Sequence, residues 1–211
     1  MSRTESYLVA AASAAELAAD PAVAGRWSEP SALPGFTVGG LAEHLAGQVF
    51  SVAKALAEPS SNEEQVSLLE HYARASWVRT GRDSEANVSI RDSGEGQAAE
   101  GPEAFVARLR ASLADVVRTL PEVPVDYRVR PPAGPWSLVL DDFLLTRMME
   151  LAVHSDDLAT SVDLPTPALP DSVNDPVLAL LFSLAVGRHG STAMLRALSR
   201  TERAPTSISA F

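Results

Sequence analysis

The amino-acid sequence predicts an all-α fold, a helical bundle with at most one short strand or hairpin, and three observations carry that expectation. Apolar residues recur at three- and four-residue spacing in several separate segments, the period of a helix face rather than of a strand. Ser, Thr or Pro opens these segments and Pro follows their ends, the positions that helix termini favour. One segment, residues 138–161, is apolar on almost every side, which marks a helix in the middle of a bundle.

Residues 3–19 read as the first helix, with Ser2 and Glu5 as a capping box and Pro21 past its end. A loop containing Pro30, Pro34 and Gly35 leads to Thr37, the expected N-cap of a helix that runs to about Ala57 before Pro59. Leu41, His44, Leu45, Gln48 and Val52 share one face of it, so His44 lies on a stripe with aliphatic residues. A further helix is expected over residues 62–78, capped by Ser60 with Glu63 or by Ser61 with Glu64. Residues 81–101 are rich in Gly, Ser, Asp and Glu, have no apolar period and read as a long surface loop.

Pro102 opens the next helix, whose apolar face is Phe105, Leu109, Leu113, Val116 and Val117 and which ends at Pro121. Residues 123–129 alternate enough for one short strand, which Pro131, Pro132 and Pro135 confine to an edge or a loop. The helix over 138–161 follows, with Ser137 as cap and Asp141 and Asp142 at the positive end of its dipole. After Pro165, Pro167 and Pro170 come helical stretches over 176–186 and 193–199. The expected organisation is a bundle over residues 1–162 with a helical extension, 163–211, packed on it.

Composition removes several function classes. The chain has 211 residues, 46% of them hydrophobic, enough for one domain with a sizeable core. Its net charge of −10 and scattered basic residues exclude a nucleic-acid surface, which needs clustered Lys and Arg. There is no cysteine, so disulfides, Cys-held metals and a Cys nucleophile are all excluded. Any metal must be held by His, Asp or Glu, and any thiol chemistry must use an exogenous thiol. The N-terminus lacks the apolar core of a signal peptide and no run reaches membrane-spanning length, so a cytoplasmic protein without a membrane partner is expected. Apolar helix faces leave room for a homodimer.

The chemistry concentrates on residues 143–157. Phe143, Arg147, Glu150, His154 and Asp157 follow one another at spacings of four and three and so line one face of a helix whose flanks are apolar. Such a stripe faces inward or into a cleft, where four ionisable groups are costly unless they pair or bind something. Two readings stay open on spacing alone. The stripe is either a buried ion network that holds helices in register, or part of a metal site. In the second case Glu150 and His154 at i and i+4 supply two ligands and His44 a third, leaving the open position of a catalytic zinc site. His71, between charged neighbours, reads as solvated surface, and His189 is a weak candidate at a helix break.

Two segments resemble a known family. Residues 34–47, PGFTVGGLAEHLAG, and residues 147–159, RMMELAVHSDDLA, are similar to the two signatures of the mycothiol-dependent maleylpyruvate isomerase N-terminal domain, a branch of the DinB-like bundles. The resemblance covers about residues 1–162 and does not extend to the isomerase's second domain. It implies a four-helix core with zinc, or another divalent metal, held by His44, Glu150 and His154, with Asp157 orienting His154. It also implies mycothiol as a small-molecule thiol co-substrate, acting on an electrophile. Metal coordination deprotonates a thiol, and the thiolate can add to an activated alkene or displace a leaving group.

The same site can lower the pKa of water for hydrolysis, or serve a non-catalytic metal- or ligand-binding module. Arg147 either holds a substrate carboxylate or pairs with Asp157 or Glu150. Ser155 and Asp156 stand where members often carry Gly and an aromatic residue, a change to the pocket rather than to the metal. Without the second domain, maleylpyruvate isomerisation itself is not expected.

Overall fold

A computed structural model describes residues 1–75, 84–124 and 126–211, without the side chains of residues 86 and 87. Four long helices make the bundle: α1 (Arg3–Ala18), α3 (Val38–Ala57), α6 (Pro102–Thr119) and α7 (Leu140–Ser161). Short helices α2 (Pro21–Gly25) and α4 (Leu68–Arg74) and the helix α5 (Glu85–Ala98) lie between them, and α8 (Asp171–His189) and α9 (Ser191–Ser199) follow. Helix α1 packs chiefly on α7, and α3 packs on α5, α6 and α7. Helix α8 continues the packing against α7 and α1.

Local chemistry explains the ends of these helices. Ser2 Oγ accepts from the Glu5 backbone N–H while Glu5 accepts from the Ser2 N–H, the expected capping box. Thr37 Oγ1 accepts from the Gly40 N–H at the start of α3. Helix α7 buries Leu144, Met148, Leu151 and Leu158 on one side and Phe143, Leu145 and Met149 on others, so it runs through the core as its composition requires. No single helix among the described residues is long and apolar enough to cross a membrane.

Three expectations fail. Residues 59–66 are not helical: Gln65 bridges Ser137 in parallel, and the Ser61 N–H donates to the Arg128 carbonyl. Helix α4 therefore starts only at Leu68, capped by Ser67, and neither proposed capping box forms. Residues 76–78 of that expectation lie outside the described residues. Ser137 does not cap α7; it is fully buried and donates from Oγ to the Glu63 carbonyl, while α7 begins only at Leu140. The short strand shrinks to β1 (Arg128–Val129), paired antiparallel with β2 (Leu138–Val139) as a minimal hairpin.

The third failure concerns residues 81–101, where the described part contains α5 rather than a loop. This helix has no apolar stripe because it docks by close backbone approach instead. Among the described residues its buried positions are Gly94 and Ala98, and a Cβ on Gly94 would lie 2.9 Å from the Gly40 carbonyl oxygen of α3. Glu95 accepts from the Thr37 N–H at 2.7 Å and from Thr37 Oγ1 at 2.9 Å, supplementing the α3 cap. At its end the Ala98 carbonyl accepts from Trp27 Nε1 at 2.8 Å.

Candidate metal centre

The two signature segments meet where α3 crosses α7. The start of α3 is held by Trp27, whose ring lies over Gly39 and packs on buried Phe105, and by the Thr37–Glu95 bonds. From that anchor α3 carries His44 to α7. His44 Nε2 stands 3.1 Å from His154 Nε2, with the rings edge to face, and 3.9 Å from Glu150 Oε2. His154 Nε2 stands 3.2 Å from the same Glu150 oxygen. The three side chains are 13–20% exposed, so the cluster keeps a narrow face to solvent. Among the described residues it is the one group of His, Asp and Glu side chains whose ligand atoms converge this closely, all within 4.8 Å.

Asp157 completes the line. Its Oδ2 lies 2.9 Å from His154 Nδ1, and since a carboxylate only accepts, Nδ1 carries the proton. In the neutral ring this leaves the Nε2 lone pair facing the cluster, the arrangement that orients metal-ligating histidines. With no metal bound, a proton takes that place. Burial disfavours the His154 imidazolium, but its hydrogen bonds to Asp157 and Glu150 outweigh burial and hold its pKa up at about 9. Burial would also raise Glu150, yet its hydrogen bond to His154 and that cation's charge bring it down to about 2. Burial, reinforced by the His154 charge, pushes His44 down to about 4.

Arg147 does not pair with either acid of the stripe. Its Nη1 donates to Gln48 Oε1 at 2.6 Å and its Nε to Thr146 Oγ1 at 3.0 Å. Phe143 provides the ring beneath it, 5.3 Å from the guanidinium carbon. Gln48, one turn beyond His44, in turn donates to the His44 carbonyl. His189 is remote from the cluster, its Nε2 bonded to the Ser209 carbonyl. A polar surface cavity of about 460 Å³, lined by Glu58, Ser61, Asn62, Arg128 and Arg130 among others, contains none of the cluster residues.

His71 corrects the sequence reading. It is 3% exposed rather than solvated, with its Nδ1 accepting from Trp136 Nε1 at 3.0 Å. The signal lay in the spacing of Leu68, His71, Tyr72 and Ala75, one helix face, while Glu70 and Arg74 pair on the other. Burial, then the charge of Arg147, pushes the His71 pKa down to about 4 from its ordinary 6.5. The unfolded chain therefore takes up this proton first, and His71 contributes stability that is complete above pH 6.5 and lost as pH falls towards 4.

Over that window the loss is about 3 kcal/mol for His71, with a similar share from His44. Urea unfolding of metal-free protein from about pH 7 to about pH 4.5 should give a slope that His71→Gln roughly halves. An unchanged slope would show that His71 is not buried neutral.

The fold and cluster together define a helical-bundle protein with two histidines and a carboxylate converging between neighbouring helices, the setting in which bundles hold metal ions. The family model of the mycothiol maleylpyruvate isomerase N-terminal domain matches residues 8–159, and the chain belongs to that family. Its all-α, DinB-like architecture accords with that membership. No curated protein and no solved structure matches the chain.

Proposed function

We propose that this protein is a divalent-metal-dependent enzyme that activates a low-molecular-weight thiol, mycothiol, for transfer or addition to an electrophile. The observation that carries the reading is the convergence of His44, Glu150 and His154. Ligand atoms about 2.0–2.1 Å from a tetrahedral zinc lie roughly 3.3 Å apart. The separations of 3.1, 3.2 and 3.9 Å bracket that edge, so the residues fit zinc with little movement. Three protein ligands leave one position open, as catalytic rather than structural zinc sites do. A divalent ion held there supplies a Lewis acid that keeps a thiol ionised at neutral pH, where a free thiol with a pKa of about 8.5 is mostly protonated.

The chain's own residues prepare for that role. Asp157 fixes the His154 tautomer, and Glu150 stays ionised across the physiological range. Phe36, its ring 5.7 Å from that of His44, lines one side of the cluster. The absence of cysteine means that the sulfur must come from a co-substrate. In an addition that sulfur bonds to one carbon as the π bond or epoxide C–O bond opens, and the proton passes to the atom that takes the freed electron pair. In a substitution it bonds to the carbon as the carbon–leaving-group bond breaks, the group departs with that pair, and the thiol proton goes to solvent.

The test is turnover of zinc-reconstituted protein with mycothiol against a panel of alkylating, epoxide and activated-alkene electrophiles. Turnover should depend on the thiol, stop on chelation and be lost in Glu150→Gln. Bound metal without thiol-dependent turnover would favour a binding module. Hydrolysis of esters or amides without thiol would favour a metal-dependent hydrolase.

A further inference from the structure

Helix α8 turns an apolar face to solvent. It packs on α7 and α1, burying Val173, Val177 and Leu180, and α9 also packs on it. On the opposite face Asp171, Asp175, Leu178, Phe182, Val186 and His189 follow one another at spacings of four and three. Leu178 is 61% exposed and Phe182 46%, with Ala179 exposed beside them. A helix on the surface of a bundle normally turns charged side chains to water on that side. Here no residue from Pro176 to Gly187 is charged. Charge is confined to the two ends, with Asp171 and Asp175 at one and Arg188 and His189 at the other.

That pattern is complementary to itself. When α8 of a second copy lies antiparallel across it with the two-fold axis at Phe182, the two Phe182 rings meet. Leu178 of one copy then meets Val186 of the other, since both stand four residues from the axis. Seven residues from the axis, Asp175 of one copy meets His189 of the other, with Arg188 beside it, and the two helix dipoles run opposed. A parallel pairing would instead set like charges together. A bilayer surface is the poorer occupant. The apolar stretch is preceded by Asp171 and Asp175 rather than flanked by a basic cluster, and the chain carries a net charge of −10.

We infer that the exposed face of α8 is a homodimer interface, on which a second copy of this chain seats its own α8 antiparallel about Phe182. The inference uses neither the metal nor the thiol reading and stands if both fail.

The test is sedimentation velocity of the full chain from micromolar to sub-millimolar concentration, where the wild-type protein should pass from monomer to dimer. Phe182→Glu, at a position open enough to keep the fold, should raise the dissociation constant on the order of 100-fold or more, because it sets two carboxylates together on the axis. Asp175→Lys should weaken the dimer on the order of tenfold, and adding His189→Glu should restore it. The chain has no cysteine, so Phe182→Cys places a single thiol on the axis, and mild oxidation should link two copies. Val117→Cys, at an exposed position of α6, should stay unlinked at the same concentration. Wild-type protein that remains monomeric throughout would overturn the interface, as would a dimer that Phe182→Glu leaves intact. Failure of the double charge reversal to restore the dimer would overturn the antiparallel register. Monomers that sediment with phosphatidylcholine vesicles would overturn it in favour of a membrane.

Discussion

His44→Ala should abolish stoichiometric metal binding, whereas the wild-type protein should purify with close to one equivalent of zinc. His44 is the one ligand from α3, and without it Glu150 and His154, four residues apart on one helix, are left as two ligands. The remaining pair also loses the contact that sets α3 against α7 at the site, the 3.1 Å approach of the two Nε2 atoms. Removing a supporting partner of a metal ligand typically costs about 10–100-fold in affinity, and removing a ligand costs more.

Asp157→Asn should accordingly fall in that smaller range, since it leaves all three ligands but no longer fixes the His154 ring as a carboxylate does. Elemental analysis and chelator competition measure both. Chelation should also lower the wild-type Tm and leave that of His44→Ala unchanged, because only a state that binds the ion is stabilised by it. Wild-type protein free of metal even after zinc is supplied, or equal metal in His44→Ala, would refute the site and leave the stripe as an ion network.

The second large effect is expected at Gly39. A Cβ there would sit 2.6 Å from Trp27 Cε2, inside any real contact distance. The indole cannot swing away cheaply, because Nε1 donates to the Ala98 carbonyl and the ring packs on fully buried Phe105. Gly39→Ala must therefore displace the start of α3 or break the tie between α5 and the bundle. Overpacking of this kind costs about 1–3 kcal/mol.

Gly47, in the same helix, is the control. A Cβ there meets nothing within 4 Å, and Gly47→Ala should stabilise the protein by about 0.5–1 kcal/mol through the better helix propensity of alanine. Urea unfolding of the two variants should thus move the midpoint in opposite directions. A neutral Gly39→Ala would mean that Trp27 does not hold the start of α3.

These predictions draw unequally on sequence and structure. Periodicity alone placed Arg147, Glu150, His154 and Asp157 on one face of a helix and His44 on an apolar stripe, because helical geometry ties spacing directly to direction. The Ser2–Glu5 cap was legible for the same reason: every group in it lies within one turn. Helix α5 was not legible, since what holds it is the absence of side chains at Gly40 and Gly94 and the reach of Glu95 to Thr37, across 58 residues of sequence. His71 was misread because its charged neighbours point the other way, and its partner Trp136 is 65 residues distant.

The amino-acid sequence by itself determined the all-α class, the two signature segments and the face that each chemical group occupies on its own helix. Only the tertiary structure decided which faces meet. It set His44 against His154 across 110 residues, gave Arg147 to Gln48 instead of to an acid, and buried His71 under Trp136. The physical reason is that helix period is a property of a few consecutive residues, whereas these contacts depend on how α3, α4 and α7 pack. That packing is set by the shapes of side chains far apart in the chain.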